Sequence, residues 1–302
     1  MVDFASFQRQ AVSVQSPVVG TVDIATRSAG SGPGLLLLHG HPQTSHIWRF
    51  VAPRLAEHFT VVCADLRGYG ASSKPRGSDT HVEYSKREMA NDMIQVMKHY
   101  GFDRFDVLSH DRGARVAHRL GVDHPASVRR LVVLDIAPTL YMYEHTDMAF
   151  ALAYWHWFFL PQPAPGPETV MMADPERFWD MLSGRSHFGI QWTAEDDKEY
   201  KTPYFTPEGT HAACEDYRAA ATIDLEHDRA SREAGDRLKL EALLVLWGAR
   251  GVINRYDDPV GIWREQCDAG VEVSGGPTSS GHYIAEEVPE ELWTRLDKFF
   301  SL

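Results

Sequence analysis

Five residues, Ser109-His110-Asp111-Arg112-Gly113, carry the strongest chemical signal in the sequence. They follow an apolar stretch that reads as a strand, Phe105 to Leu108, and lead into a helix expected from Arg112 to about His124. A small residue, any residue, a nucleophile, any residue and glycine between strand and helix make a sharp turn. Such a turn holds the central side chain exposed above a sheet. Here the central residue is an aspartate. A serine alkoxide in that place attacks acyl carbon, whereas a carboxylate displaces a leaving group from sp3 carbon and becomes an alkyl ester. Water then attacks the ester carbonyl and restores the carboxylate. The turn points to hydrolysis of a carbon–halogen bond or an epoxide, and away from esters and amides.

The second step needs a base. His282, in Ser279-Ser280-Gly281-His282, follows the last expected strand and precedes the closing helix. Nucleophile first and histidine later is a workable order for a triad. The chain has 15 histidines, so it is position and not residue type that singles this one out. A partner acid is absent from the turn Trp247-Gly248-Ala249-Arg250-Gly251-Val252-Ile253. Asp135, at the end of the strand Leu131 to Leu134, is the expected residue to orient His282 through its ring N–H. Asp257 and Asp258 are the alternatives, and turn capping is the other role open to Asp135. Arg112 and Arg115 lie three apart at the start of the helix that opens at the nucleophile, so both can project from one face. Arginine grips a carboxylate through paired hydrogen bonds, and a helix N-terminus adds attraction for negative charge. The pair is expected to hold a small carboxylic acid over Asp111 and to keep Asp111 ionised.

These residues must be positioned by a sheet. Val12 to Val18 and Val22 to Thr26 read as an opening antiparallel pair. Short apolar strands follow at Leu35 to Leu38, Thr60 to Ala64, Phe105 to Leu108, Leu131 to Leu134, Ala242 to Leu246 and Val271 to Val273. Helices are expected between them at about Ile47 to His58, Lys86 to Tyr100, Pro259 to Cys267 and Glu290 to Phe300. Short buried strands separated by helices indicate a mostly parallel α/β sheet covered on both faces. The alternation stops from Pro138 to about Arg237, a stretch rich in aromatics and interrupted by Pro161-Gln162-Pro163-Ala164-Pro165-Gly166-Pro167. We read residues 1–137 and 238–302 as the core, and 138–237 as a helical cap over the carboxyl ends of the strands, where open α/β sheets place their sites.

Composition excludes some functions. A net charge of −12 argues against nucleic acid and anionic membrane as partners. Cys63, Cys214 and Cys267 form no disulfide or metal pattern, and no apolar run approaches the ~20 residues of a membrane span. The N-terminus does not read as a leader. A cytoplasmic enzyme is the expectation.

The elbow with Asp then Arg, the second Arg three on, Leu134-Asp135-Ile136 and Gly281-His282 resemble the fluoroacetate (haloacetate) dehalogenases of the α/β-hydrolase superfamily. Two cap motifs add to the likeness: Tyr154-Trp155-His156-Trp157-Phe158-Phe159-Leu160 with Gln162-Pro163-Ala164-Pro165, and Cys214-Glu215-Asp216-Tyr217-Arg218-Ala219 with Asp224-Leu225-Glu226-His227-Asp228. The resemblance runs from about Leu35 to Phe300 and is weakest between Met171 and Ala212. It implies an α/β-hydrolase fold with an eight-stranded sheet, a homodimer, and a small haloacid as substrate. It also implies that His156, Trp157 and Tyr217 receive the halide, where imidazole, indole and phenol donors converge on the charge that develops on fluoride. Backbone N–H groups of His41 and Arg112 are expected to form the oxyanion hole. Asp111 would displace halide, and water activated by His282 and Asp135 would release glycolate. Neither a metal nor an organic cofactor is needed.

Three features depart from the family pattern. His41 stands where a phenylalanine is expected, Ser109 replaces the first glycine of the elbow, and the stretch from Trp179 to Ala194, expected to line the substrate tunnel, is dissimilar. Fluoride preference over chloride or bromide is left open by these changes. The main rival is an epoxide hydrolase in which Tyr154, Tyr141 or Tyr143 joins Tyr217 in activating the epoxide oxygen. A haloalkane dehalogenase is disfavoured by Arg112, since a neutral substrate gains nothing from a buried cation. A hydrolase-fold protein that binds without turnover ranks lowest, because every candidate catalytic residue is present.

Overall fold

A computed structural model of the chain describes residues 3–183, 190 and 192–302. Its centre is an eight-stranded sheet in the order β1-β2-β4-β3-β5-β6-β7-β8. The strands are β1 (Gln8–Ser16), β2 (Gly20–Ala29), β3 (Gly34–Leu38), β4 (Thr60–Ala64), β5 (Phe105–His110), β6 (Val128–Leu134), β7 (Ala242–Gly248) and β8 (Glu272–Thr278). β2 runs antiparallel to both β1 and β4, and all other pairs are parallel.

The sequence of β3, Gly-Leu-Leu-Leu-Leu, shows why the sheet is covered on both sides. Its four leucines are fully buried, and successive side chains of a strand face opposite ways. Leu36 and Leu38 join Met89, Met93, Val116 and Leu120 from helices Lys86–His99 and Asp111–Asp123. Leu35 and Leu37 join Trp48, Leu292 and Leu296 on the opposite face, the last two from helix Pro289–Phe300. Burying one leucine contributes about 1.5–3 kcal/mol, so the pattern leaves either face little freedom to open.

The helix expected over Ile47 to His58 divides into a 3-10 segment, Ser45–Phe50, and one short α-turn, Ala52–Leu55. Pro53 lacks the N–H that would tie a continuous helix to its preceding turn, and it sits at the start of the second piece, where that lack costs nothing. Among the described residues, the chain runs through eight helices between β6 and β7, from Thr139–Glu144 to Ile223–Ala234. The parallel strands deliver their carboxyl ends to one side. Gly40 and His41 follow β3, Asp111 follows β5, Asp135 follows β6 and His282 follows β8.

Candidate active site

β5 passes directly into helix Asp111–Asp123, and the junction is strained at one residue. His110 is extended (φ −129°, ψ 141°), whereas Asp111 has φ +45°, a conformation rare for a residue with a side chain. Two glycines allow this crossing. A Cβ on Gly113 would lie 2.3 Å from the carbonyl oxygen of His39, and one on Gly40 would lie 2.4 Å from Cβ of Asp111. Ser109 fits in place of the expected glycine because it is an ordinary β5 residue, its hydroxyl donating to the Val132 carbonyl at 2.8 Å.

Asp111 Oδ1 accepts the backbone N–H of His41 at 2.9 Å. Its Oδ2 stands 3.8 Å from His282 Nε2. On the far side of the imidazole, Nδ1 lies 2.6 Å from Asp135 Oδ2, while Asp135 Oδ1 accepts the Gly248 N–H at 2.9 Å. Asp258 is engaged elsewhere, capping helix Pro259–Arg264. Burial alone would push the Asp111 carboxyl up, but His282 and then Arg115 and Arg112 outweigh it and hold it well below the usual carboxylate range. Burial also opposes charge on His282, yet the hydrogen bond and charge of Asp135, with the charge of Asp111, raise it above the ordinary 6.5.

Asp111 and His282 face a cavity of about 30 Å3, lined also by His41, Tyr154, His156, Trp157, Leu182 and Tyr217. It is roughly an order of magnitude below the ~300–1,000 Å3 of ordinary small-molecule pockets. His156 and Trp157, adjacent in the sequence, and the distant Tyr217 are thus brought together at the cavity that Asp111 faces. Of the stretch from Trp179 to Ala194, Leu182 reaches the cavity, while residues 184–189 and 191 lie outside those described. The backbone N–H of Arg112 lies in the first turn of its helix, where no intrahelical carbonyl can reach it.

The two arginines are arranged differently from the expectation, since neither lines the cavity. Asp216, on helix Pro207–Ala221, grips Arg112 from two sides, with Oδ2 2.9 Å from Nε and Oδ1 3.0 Å from Nη2. Tyr69 donates to the same carboxylate at 2.6 Å, and Lys86 pairs with it as well. Arg115 instead donates to the Ala137 carbonyl at 3.2 Å and to the Thr139 hydroxyl at 2.9 Å. Each guanidinium packs on a ring that does line the cavity, Arg112 on Tyr217 at 4.2 Å and Arg115 on Trp157 at 4.6 Å. A buried cation must find an acceptor, and Asp216 supplies one from the helical insert. Arg112 Nη1 and Arg115 Nε remain buried without a partner.

Sequence reasoning missed this role of Asp216, although the residue sits in a motif quoted above. Its only signal was adjacency to Tyr217. Asp216→Asn is expected to cost about 3–5 kcal/mol of stability, because Arg112 would stay buried with no carboxylate partner and Lys86 would keep only Asp224, at 3.4 Å. Urea denaturation of the variant beside the wild type measures it, and a change under about 1 kcal/mol would contradict this account.

An eight-stranded, mostly parallel sheet with a strained nucleophile turn, and an acid–histidine pair gathered from later strands, defines an α/β hydrolase. The family model for the alpha/beta hydrolase fold matches residues 33–259. A fluoroacetate dehalogenase from Burkholderia sp. is 43% identical over 300 residues, covering 99% of this chain and 95% of its own. A soluble epoxide hydrolase from Corynebacterium sp. (strain C12) is 31% identical over 91% of this chain and 92% of its own. The crystal structure of an α/β hydrolase from Nostoc sp. PCC 7120 superposes with a TM-score of 0.91 at 44% identity, covering 98% of this chain and 99% of the other. The chain belongs to the α/β-hydrolase superfamily and, within it, to the haloacetate dehalogenases.

Among the described residues, no helix is long and apolar enough to cross a membrane.

Proposed function

We propose that this protein hydrolyses a small 2-haloacid, of fluoroacetate or chloroacetate size, to the hydroxy acid and halide. The observation that carries the reading is an ionised Asp111 facing a cavity of about 30 Å3 that His156, Trp157 and Tyr217 also line. Asp111 Oδ2, free of the His41 hydrogen bond, attacks the α-carbon; the new C–O bond forms as the carbon–halogen bond breaks and halide leaves with its electron pair. Donors of these three side chains meet the charge as it develops. Arg112 Nη1 and Arg115 Nε are the donors that the substrate carboxylate would take as the cavity enlarges around it.

Water then attacks Cγ of the Asp111 ester and gives a proton to His282, oriented by Asp135. Negative charge collects on Oδ1, where the His41 N–H already points. Collapse breaks the Cγ–Oδ2 bond and returns the His282 proton to the departing glycolate oxygen; Asp111 is left as a carboxylic acid and becomes a carboxylate again by losing the second water proton to solvent. Each part needs only groups of this chain.

Tyr154 and Tyr217 share the cavity wall, which keeps an epoxide hydrolase as the second reading, in line with the similarity to the Corynebacterium enzyme. One assay separates the two: halide release from fluoro-, chloro- and bromoacetate, beside diol formation from a small epoxide. The dehalogenase reading expects halide and no diol; diol alone would overturn it. The same assay has a pH limb. His282 accepts a proton only when neutral, so the rate should rise with pH through a midpoint above 6.5. A midpoint below that value would remove His282 as the base.

A further inference from the structure

The residue at the cavity that departs from the family pattern is His41, and it is hydrogen-bonded on both sides. Its Nε2 lies 2.7 Å from the hydroxyl of Tyr204 and its Nδ1 lies 3.3 Å from the hydroxyl of Tyr217. All three side chains are buried. We propose that Tyr204 and His41 form a relay that turns the hydroxyl proton of Tyr217 toward the leaving halide, which makes them positioning residues for leaving-group preference. The inference rests on the dehalogenase reading and deepens it.

The argument is a count of protons. Burial lowers His41 to about 3, so its ring is neutral, with one N–H and one lone pair. Two tautomers are available. If Nε2 carries the proton, it donates to Tyr204, and Tyr217 must spend its own O–H on Nδ1. The Tyr204 proton then has no acceptor among the described residues, where His41 is its one hydrogen-bond partner. Tyr204 does not line the cavity, so that proton cannot be satisfied there either. A buried donor left unmade is the costly case.

The other tautomer resolves this. Tyr204 donates to Nε2, Nδ1–H donates to the Tyr217 oxygen, and a single O–H is left without a protein acceptor. That O–H belongs to Tyr217, on the cavity wall beside His156. Accepting a hydrogen bond polarises the phenol and makes it a better donor, an effect that runs along such chains. The Arg112 guanidinium under the Tyr217 ring draws electron density the same way. A phenylalanine at position 41 would leave the Tyr217 hydroxyl free to rotate.

Fluoride depends on donated hydrogen bonds more than chloride does, because it leaves worse and accepts more strongly. Loss of the relay should therefore fall mainly on defluorination. The test uses the full chain as wild type, Tyr204→Phe, His41→Phe and the double variant. For each, kcat and KM are measured for fluoride release from fluoroacetate and chloride release from chloroacetate. Each single variant is expected to lower the fluoride-to-chloride kcat ratio by about five- to tenfold, the size of one ordinary hydrogen bond, with KM moving less. The double variant should lose no more than His41→Phe alone, since members of one chain are not additive. An unchanged ratio in a Tyr204→Phe protein that melts like wild type would overturn the relay, as would losses that multiply in the double variant. Should His41→Phe fail to fold, Tyr204→Phe, which removes one oxygen atom, decides the question. Wild type releasing neither halide would instead refute the dehalogenase reading on which the relay stands.

Discussion

Asp111→Asn is expected to lower halide release by about 10⁴-fold or more while leaving the fold intact. The size follows from the role. A nucleophile that opens a two-step route cannot be replaced by its neighbours, and removing such a group in other hydrolytic enzymes costs about 10⁴–10⁶ in turnover, or roughly 5.5–8 kcal/mol of barrier. The intact fold follows from geometry. Asparagine is among the residues that tolerate a positive φ, so it can occupy the +45° turn. Its amide oxygen can keep the 2.9 Å hydrogen bond from the His41 backbone. The neutral amide nitrogen then meets the α-carbon and does not displace halide. Release assays on equal amounts of wild type and variant, with melting curves for both, make the measurement. Activity within about tenfold of wild type would mean that water attacks directly and that the elbow carboxylate is not the nucleophile.

The candidate site was more legible in the sequence than its support. Asp111, Asp135 and His282 follow strand ends, and strand ends are written locally as short apolar runs such as Leu35 to Leu38. What joins distant segments was not legible. The grip of Asp216 on Arg112 spans 104 positions and the bond from Tyr204 to His41 spans 163. No local period encodes either, because both depend on how the helical insert settles on the sheet. For the same reason the two arginines read as an open clamp, while in the structure burial has already matched one of them to an acidic partner.

Strand ends also misled where composition and position disagree. β8 was expected over Val271 to Val273, short of Gly275, Gly276 and Pro277. It continues to Thr278 in parallel register with β7, as far as Gly248 opposite Thr278. β8 is the last strand of the sheet and has one neighbour. A proline that donates no hydrogen bond is tolerated at such an edge. The extension matters for function, because it carries the chain up to Ser280 and places His282 beside Asp135.

His282→Gln is expected to stop the reaction halfway. The first step needs Asp111 and a halide site, and His282 Nε2, 3.8 Å from Asp111 Oδ2, is not required to form the ester. The second step needs a base for water. The variant should release one equivalent of halide per active site in a rapid phase, then stall, with steady turnover down about 10²–10⁴-fold. Intact-protein mass spectrometry after reaction with chloroacetate should show the carboxymethyl ester, and digestion should place it on the peptide that holds Asp111. The choice of glutamine matters. It keeps a donor that can face Asp135, whose other oxygen stays on the Gly248 N–H, so a buried carboxylate is not stranded. Stoichiometric release with a trapped ester would tie the two steps to two residues in order. A variant that loses the rapid phase as well would show that His282 also serves the displacement, through its charge beside Asp111. A variant that still turns over at the wild-type rate would leave the ester without its assigned base and send the search back to the other histidine at the elbow, His110. That residue is the weaker candidate on chemical grounds, since burial lowers it to about 3 and its Nε2 already lies 2.9 Å from the His282 carbonyl.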